Sequence, residues 1–312
     1  MKDAFRVILI FFCFLVSCGR TSNNKSGFEF RQNEQGFELY EAGKPVFFYQ
    51  KEPKLLQGQY ICCDYLHPLY SLDGDTLTEE SPADHPYHRG IYWAWHQIFI
   101  DGKSVGDGWV MQDMSQEVSS VKTEVNKSSS VLTAEVFWKS ALWNNNEPFI
   151  KGKTLITVYP VDADIRIIDF EISLRALTAN VSIGGSDDEK GYGGFCVRLK
   201  LPGDILFNSE KGPVTPEVTQ VIAGPWMDFS GTFGTDNKKS GVTLICDPDT
   251  PNFPAPWILR KESSMQNIVF PGRQRIDLST DKELVLKYRV LVHSGELNSV
   301  EIEKNSTINH KP

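Results

Sequence analysis

Apolar and polar residues alternate with a period of two through much of this chain, and that alternation decides what it can fold into. Ile168, Phe170, Ile172 and Leu174 are interleaved with Asp169, Glu171, Ser173 and Arg175; Leu284, Leu286, Tyr288 and Val290 repeat the pattern, with Lys287 and Arg289 between them. Successive side chains on opposite faces mark a strand with one buried side, whereas a helix would space its apolar residues three and four apart. Segments 131–138, 154–159, 195–201 and 241–246 also read as short strands, bounded by Gly, Pro, Asn and Asp. No convincing amphipathic helix interrupts them. With 12% aromatic residues to fill a core, the pattern predicts an all-β protein, a large antiparallel β-sandwich. Neither a repeat nor a linker divides residues 28–304, which read as one sandwich domain followed by a frayed tail at 305–312.

The first residues set where such a domain works. Lys2 and Arg6 precede or flank an apolar run at 7–16 that is too short to span a bilayer, and Leu15-Val16-Ser17-Cys18 closes it. This resembles the lipobox of bacterial lipoproteins, which implies a signal peptide at 1–17, cleavage before Cys18 and lipidation of that Cys. Residues 18–27, polar and rich in Ser and Asn, then read as a flexible tether. Surface lipoproteins of the Bacteroidetes type often carry an acidic export signal there, and this tether has no acidic residue. The expectation is an outer-membrane anchor facing the periplasm. No later segment is apolar enough for a transmembrane helix, so the lipid is the expected membrane contact. A net charge of −8 and a pI near 5.4, with no Lys/Arg cluster, argue against a nucleic-acid partner. Cys62, Cys63, Cys196 and Cys246 lack metal-binding spacing and read as buried small apolar residues.

Titratable chemistry is concentrated at 64–109. Four of the six histidines, His67, His85, His88 and His96, fall there with Asp84, Arg89, Asp107 and the tryptophans Trp93, Trp95 and Trp109. Histidine titrates nearest neutral pH and is the commonest metal ligand, so this clustering is hard to explain by packing alone. Residues 90–100 read as one strand, with Trp93, Trp95, Gln97 and Phe99 on one face and Tyr92, Ala94, His96 and Ile98 on the other. His67 ends an earlier strand that starts near Gln59, and His85 lies in the loop entering 90–100. A strand end, a loop and a strand start can meet at one rim, and loops on a rigid sheet are where functional groups are displayed. Histidines there suit proton transfer, and the Arg89 fork suits a hydroxyl or carboxylate clamp. Their plainer roles are a satisfied buried histidine at His96 and a salt bridge from Arg89 to Asp84. His85 and His88 are the candidate pair for a divalent metal, but spacing sets no third ligand and no cofactor is predicted. Serine-nucleophile, phosphate-loop and dinucleotide motifs are absent from the sequence.

His67-Pro-Leu-Tyr, Asp84-His-Pro-Tyr-His-Arg-Gly and Trp93-Ala-Trp-His carry a resemblance, together with Gly191-Tyr-Gly-Gly-Phe-Cys-Val-Arg198, Pro225-Trp-Met-Asp228 and Pro256-Trp257 to Arg260. They resemble a bacterial family of unknown function called PmoA-like, or methane oxygenase. The likeness covers nearly all of the chain after Cys18. It implies a supersandwich of the galactose-mutarotase kind, as in several polysaccharide lyases, and a setting among sugar-processing genes. Methane oxidation is not implied, because the membrane subunit of that enzyme is a multi-helix protein and no spanning helix is readable here. In mutarotase-like enzymes carboxylates and histidines converge on a concave face. That brings in Glu189, beside the glycines at 191, 193 and 194, as a catalytic candidate, and Arg198 as a substrate contact. The C–H face of a sugar packs on aromatic rings, so one of Trp93, Trp109, Trp226 and Trp257 is expected to stack on ligand, with Asp84 and Arg260 as further contacts.

Two classes of function follow. One is an enzyme on a carbohydrate ligand, a glycoside hydrolase, lyase or epimerase, with His67, His85, His88, Arg89, His96 and Glu189 as its catalytic candidates. The other is a non-catalytic sugar-binding lipoprotein. So many titratable groups in one segment favour the enzyme, since a binding platform needs aromatics and amides more than four histidines.

Overall fold

Strands form where the alternation places them. Ser130–Ser140 buries every second residue along its whole length, and Ile165–Ala176 buries Ile168, Phe170, Ile172 and Leu174 while Asp169 and Arg175 stay half-buried. The computed structural model describes residues 27–263 and 265–307; the lipobox with Cys18, and the tether up to residue 26, lie outside them. Two large antiparallel sheets carry the chain. The nine-stranded sheet runs, edge to edge, through Met114–Val125, Ser130–Ser140, Pro148–Val158, Ile165–Ala176, Leu284–Ser294, Ser240–Cys246, Trp226–Gly231, Leu206–Ser209 and Gly212–Pro213. The eight-stranded sheet runs through Phe28–Gln32, Gly36–Glu41, Lys44–Gln50, Tyr65–Leu69, Ile91–Trp95, Gly193–Val197, Gln266–Val269 and Trp257–Ile258. A four-stranded sheet (Ile276–Asp277, Val181–Gly184, Gln97–Ile100, Lys103–Gly106) and the hairpin Lys54–Leu56/Tyr60–Cys62 complete the β-structure. The protein is an all-β antiparallel sandwich.

The two large sheets share one core. Phe195 stacks on Tyr288 at 4.5 Å between ring centroids and meets the edge of Phe170 at 5.2 Å, which ties the middle of one sheet to the middle of the other. Asp64 is sealed in the same layer, accepting from Tyr49 Oη at 2.7 Å on one sheet and Thr154 Oγ1 at 3.2 Å on the other. Burial pushes its carboxyl up to about 6, against the pull of those hydrogen bonds. The four cysteines at 62, 63, 196 and 246 are free and buried, and burial holds each thiol above its ordinary pKa.

Two strands expected to be continuous are broken, and both breaks matter to the site. Residues 90–100 divide at His96, with Ile91–Trp95 in the eight-stranded sheet and Gln97–Ile100 in the four-stranded one. Trp95 is the reason: it is buried in the core, tilted against Trp138, and its Nε1 donates to the Phe270 carbonyl at 2.8 Å, so the chain turns away from the sheet after it. The segment from Gln59 divides at Asp64, which has φ 56°, and His67 lies inside the strand Tyr65–Leu69, not at the end of one. A helix that the alternation does not announce, Ser299–Ser306, starts on a capping box of Asn298 and Glu301 and buries Ile302 against Trp226, Ile245 and Leu291. Arg289 binds Asp169 through two hydrogen bonds of 2.6 and 2.8 Å and donates to the carbonyls of Asn305 and Thr307, which fastens the end of this helix. Part of the expected tail thus lies on the helix, and residues 308–312 are outside the described ones. No helix among the described residues is long and apolar enough to cross a membrane.

Candidate active site

The eight-stranded sheet has a second covered face. Trp93, Trp95, Phe195 and Val197 enter the main core, and the residues alternating with them, Tyr92, Ala94 and Cys196, point the other way. There they join Tyr65, Cys62, Met265 and Trp109 in a separate apolar cluster, with Tyr60, Tyr87 and Tyr192 half-buried against it. The loop at 81–89 lies on this face as a compact coil, closed by backbone hydrogen bonds from His85 N to Pro82 O, from His88 N to His85 O and from Ser81 N to His88 O. Spacing of three residues in such a coil lays the His85 and His88 rings parallel, 4.6 Å apart and only 1° from coplanar in orientation.

An aromatic ladder results. His88 meets Trp109 edge-on at 6.3 Å, and Trp109 stacks on His96 at 4.9 Å. Tyr192, brought in by the strand Gly193–Val197 that pairs with Ile91–Trp95, leans on the same indole at 5.6 Å. At each end of the ladder an aspartate holds a histidine. Asp84 Oδ2 lies 2.8 Å from His85 Nδ1, and Asp107 Oδ2 lies 2.8 Å from His96 Nδ1. Asp107 is itself aimed by its other oxygen, which accepts from the backbone N–H groups of Trp109 (2.8 Å) and Val110 (3.2 Å). Both histidines reach the surface, with 34% of the His85 side chain and 25% of the His96 side chain exposed.

His88 is different in kind. It is buried, and Arg198 Nη1 donates to its Nδ1 at 3.5 Å, which places the ring proton on Nε2. Burial, with His85 and Arg198 adding positive charge, holds its pKa down at about 2, so it remains a neutral imidazole at ordinary pH. Arg198 grips Asp84 with two donors at 3.0 Å each and Glu79 through Nε at 2.9 Å. Burial, which would raise the Asp84 carboxyl, is outweighed by His85 and Arg198, and its pKa lies below the ordinary value. The salt bridge anticipated between Arg89 and Asp84 is therefore made by Arg198.

Arg89 turns inward. Its guanidinium lies 4.6 Å over the Tyr92 ring and donates to the carbonyls of Tyr87 (3.1 Å) and Trp109 (3.4 Å), with 1% of the residue exposed. That geometry pins the Trp109 segment to the sheet and leaves no open fork for a ligand, which corrects the clamp expected of it. Arg260 is also occupied, donating to the carbonyls of Glu217, Val218 and Leu259 and to Tyr192 Oη at 2.6 Å, so it positions Tyr192. His67 stands apart from the ladder. Its Nδ1 shares a hydrogen bond with the Thr78 hydroxyl at 3.0 Å, and burial holds its pKa down to about 4 while Glu80, bound to Tyr65 Oη at 2.7 Å and to Lys54, pulls the other way.

Of the four tryptophans expected to offer a stacking surface, only Trp109 belongs to the ladder, and it is itself buried, 2% exposed, so the half-buried Tyr87 and Tyr192 present the accessible rings there. Trp93 and Trp257 are buried in the main core, and Trp226 packs under the C-terminal helix in a separate cluster. Glu189 is exposed on the turn that leads to Tyr192; its neighbour Asp188 is the structural one, capping the turn by accepting from Lys190 N and Gly191 N. Among the described residues no group of three or more His, Cys, Asp or Glu is arranged for a metal ion, and the parallel rings of His85 and His88 do not converge on one point. What the sequence reading leaves out is Tyr192 and the role of Asp107. Asp107-Gly-Trp109 was visible as the end of the motif, but its pairing with His96 depends on the chain turning at His96.

The chain belongs to a family of unknown function, DUF6807, whose model matches residues 37–307. The match bears out a family of unknown function and does not carry the PmoA-like label. Among solved structures the chain is similar to a candidate mutarotase (YeaD) from Salmonella typhimurium, at 10% identity and a TM-score of 0.33, covering 86% of this chain and 94% of that one. It is similar also to a candidate kojibiose phosphorylase from the human microbiome, at 11% identity and a TM-score of 0.29, covering 90% of this chain and 32% of that one. No curated protein matches the sequence.

Proposed function

We propose that this chain is a carbohydrate-active enzyme that transfers protons on a sugar, an epimerase or lyase in reaction class. The observation that carries this reading is the pair of Asp–His couples, Asp84–His85 and Asp107–His96, at the two ends of one aromatic ladder. A carboxylate on Nδ1 fixes the tautomer and turns Nε2 outward, which is the arrangement a histidine needs to give or take a proton. An imidazole held this way takes a proton from a sugar carbon and gives it back, to the opposite face of that carbon in an epimerase or to the leaving oxygen in a lyase, so protons balance. The half-buried Tyr87 and Tyr192 supply apolar walls for the C–H face of the ring. A glycoside hydrolase fits less well, because it needs two free carboxylates about the scissile bond, and here Asp84 is held by Arg198 and Asp107 by backbone amides.

The test is incubation in deuterated water with a panel of neutral and acidic sugars, followed by NMR. Deuterium is expected to enter one carbon-bound position of a responsive sugar. His96→Gln should slow that exchange by roughly 10²–10⁴-fold, the usual worth of a positioned acid or base. Sugar binding with no exchange or turnover, the same in wild type and variant, would select the second reading, a non-catalytic sugar-binding protein.

The anchor at Cys18 completes the proposal, with the domain on the periplasmic side of an outer membrane. Cys18→Ser is expected to shift the protein from the membrane fraction to the soluble one or to leave its signal uncleaved. Unchanged membrane attachment of a normally processed variant would end the lipobox reading.

A further inference from the structure

A polar groove of about 620 Å³ lies over the outer face of the four-stranded sheet, with Gln97, Ser182, Asp187, Arg275 and Asp277 among its lining. Two chain segments join it to the ladder: Gln97 follows His96 directly, and Asp187 belongs to the same loop as Tyr192, which is closed by Ser186 N on Tyr192 O at 2.9 Å. One residue in it is mounted with unusual care. The Arg275 Cζ lies over the Phe99 ring, 3.7 Å from its centroid. Its stem runs over Gly184, where a Cβ would stand 2.7 Å from Arg275 Cγ, so only glycine leaves the stem its seat. Held this way, the side chain makes no ion pair and no side-chain hydrogen bond among the described residues. A fixed guanidinium with its donors unused is a ready partner for adjacent oxygens on a ligand, because the ordering cost has already been met by the ring beneath it.

We infer that this groove is a second sugar subsite, and that the ligand is an oligosaccharide of at least two units that presents a pair of neighbouring hydroxyls to Arg275. Acceptors at Asp277, Ser182 and Asp187, whose Oδ1 already takes Arg273 Nε at 2.9 Å, lie in one groove with donors at Arg275 and Gln274, a mixture matched to hydroxyls that both give and receive. A free monosaccharide at the ladder leaves the groove empty. This inference rests on the reading of the ladder as a sugar site.

Calorimetry with monomers and matched two- to four-unit oligosaccharides of xylose, mannose, galactose and glucose tests it, on the wild type, Arg275→Ala, Gly184→Ala and Trp109→Ala. Wild type is expected to bind one series at least tenfold more tightly as the oligosaccharide than as its monomer. Arg275→Ala, an exposed change that leaves the thermal midpoint in place, should reduce the oligosaccharide to monomer affinity without altering the monomer. Gly184→Ala should do the same by unseating the arginine, and Trp109→Ala should weaken both ligands. Affinity independent of chain length, or unchanged in Arg275→Ala, overturns the second subsite while a loss in Trp109→Ala leaves the ladder reading standing. No binding by any series overturns both.

Discussion

Acidification from pH 7 to pH 4 is expected to weaken the fold by roughly 4 kcal/mol, and the cause is two buried histidines. His88 is held at about 2 and His67 at about 4, both below an ordinary value of 6.5, because burial in each case disfavours the charged ring. Above 6.5 neither the folded nor the unfolded chain protonates them, and their contribution is whole. As the pH falls below 6.5 the unfolded chain takes up protons that the folded one refuses, at about 1.4 kcal/mol per unit and per group. By pH 4 each has removed about 3 kcal/mol. Asp64 works in the opposite sense. Its carboxyl, raised from 3.8 to about 6 by burial between the sheets, is protonated in the folded state first. Between pH 6 and pH 4 it therefore returns roughly 2–3 kcal/mol. Urea denaturation at pH 7, 5.5 and 4 measures the sum, and His88→Gln should flatten about half of the histidine share. A midpoint that does not move between pH 7 and pH 4 would show that these histidines do not hold the environment described.

Gly90→Ala should cost the protein roughly 2–5 kcal/mol, a large share of the stability of an ordinary domain. Gly90 joins the histidine loop to the strand Ile91–Trp95 at φ 58°, a left-handed conformation that costs a residue with a Cβ about 1–2 kcal/mol. The added methyl would be driven into the Leu66 carbonyl and stand 2.8 Å from His67 Cβ. Neither side can retreat. Gly90 N donates to Glu79 O at 2.8 Å, Arg198 N donates to Gly90 O at 2.7 Å, and Leu66 is paired with Ile91. Overpacking of this sort adds roughly 1–3 kcal/mol. Gly74→Ala is the control, since Gly74 also has a positive φ, of 99°, but nothing within 4 Å of the new carbon. Equal losses in the two variants, read from urea melts, would assign the whole effect to backbone conformation and remove the steric argument.

Sequence alone determined the architecture. Period-two alternation is a local property, since which face a strand residue occupies follows from its parity, and the sandwich, the buried cysteines and the strands around 131–138, 168–174 and 284–290 follow from it. The density of histidines at 64–109 was equally legible, and the structure gathers His85, His88, His96 and Trp109 on one ladder. Only the tertiary structure decided what each member does. Arg89 and Arg198 are the same residue type beside the same loop, yet strand pairing turns one under Trp109 and the other onto Asp84. His96 acquires Asp107 because the chain leaves one sheet and joins another at that residue, and Tyr192 arrives from almost a hundred residues away through the pairing of Gly193–Val197 with Ile91–Trp95. Trp93 and Trp109 differ in the same way, one sealed between the sheets and one on the ladder, although nothing in their neighbours' identities separates them. Parity fixes a face; which face is covered, and by what, depends on partners distant in the chain.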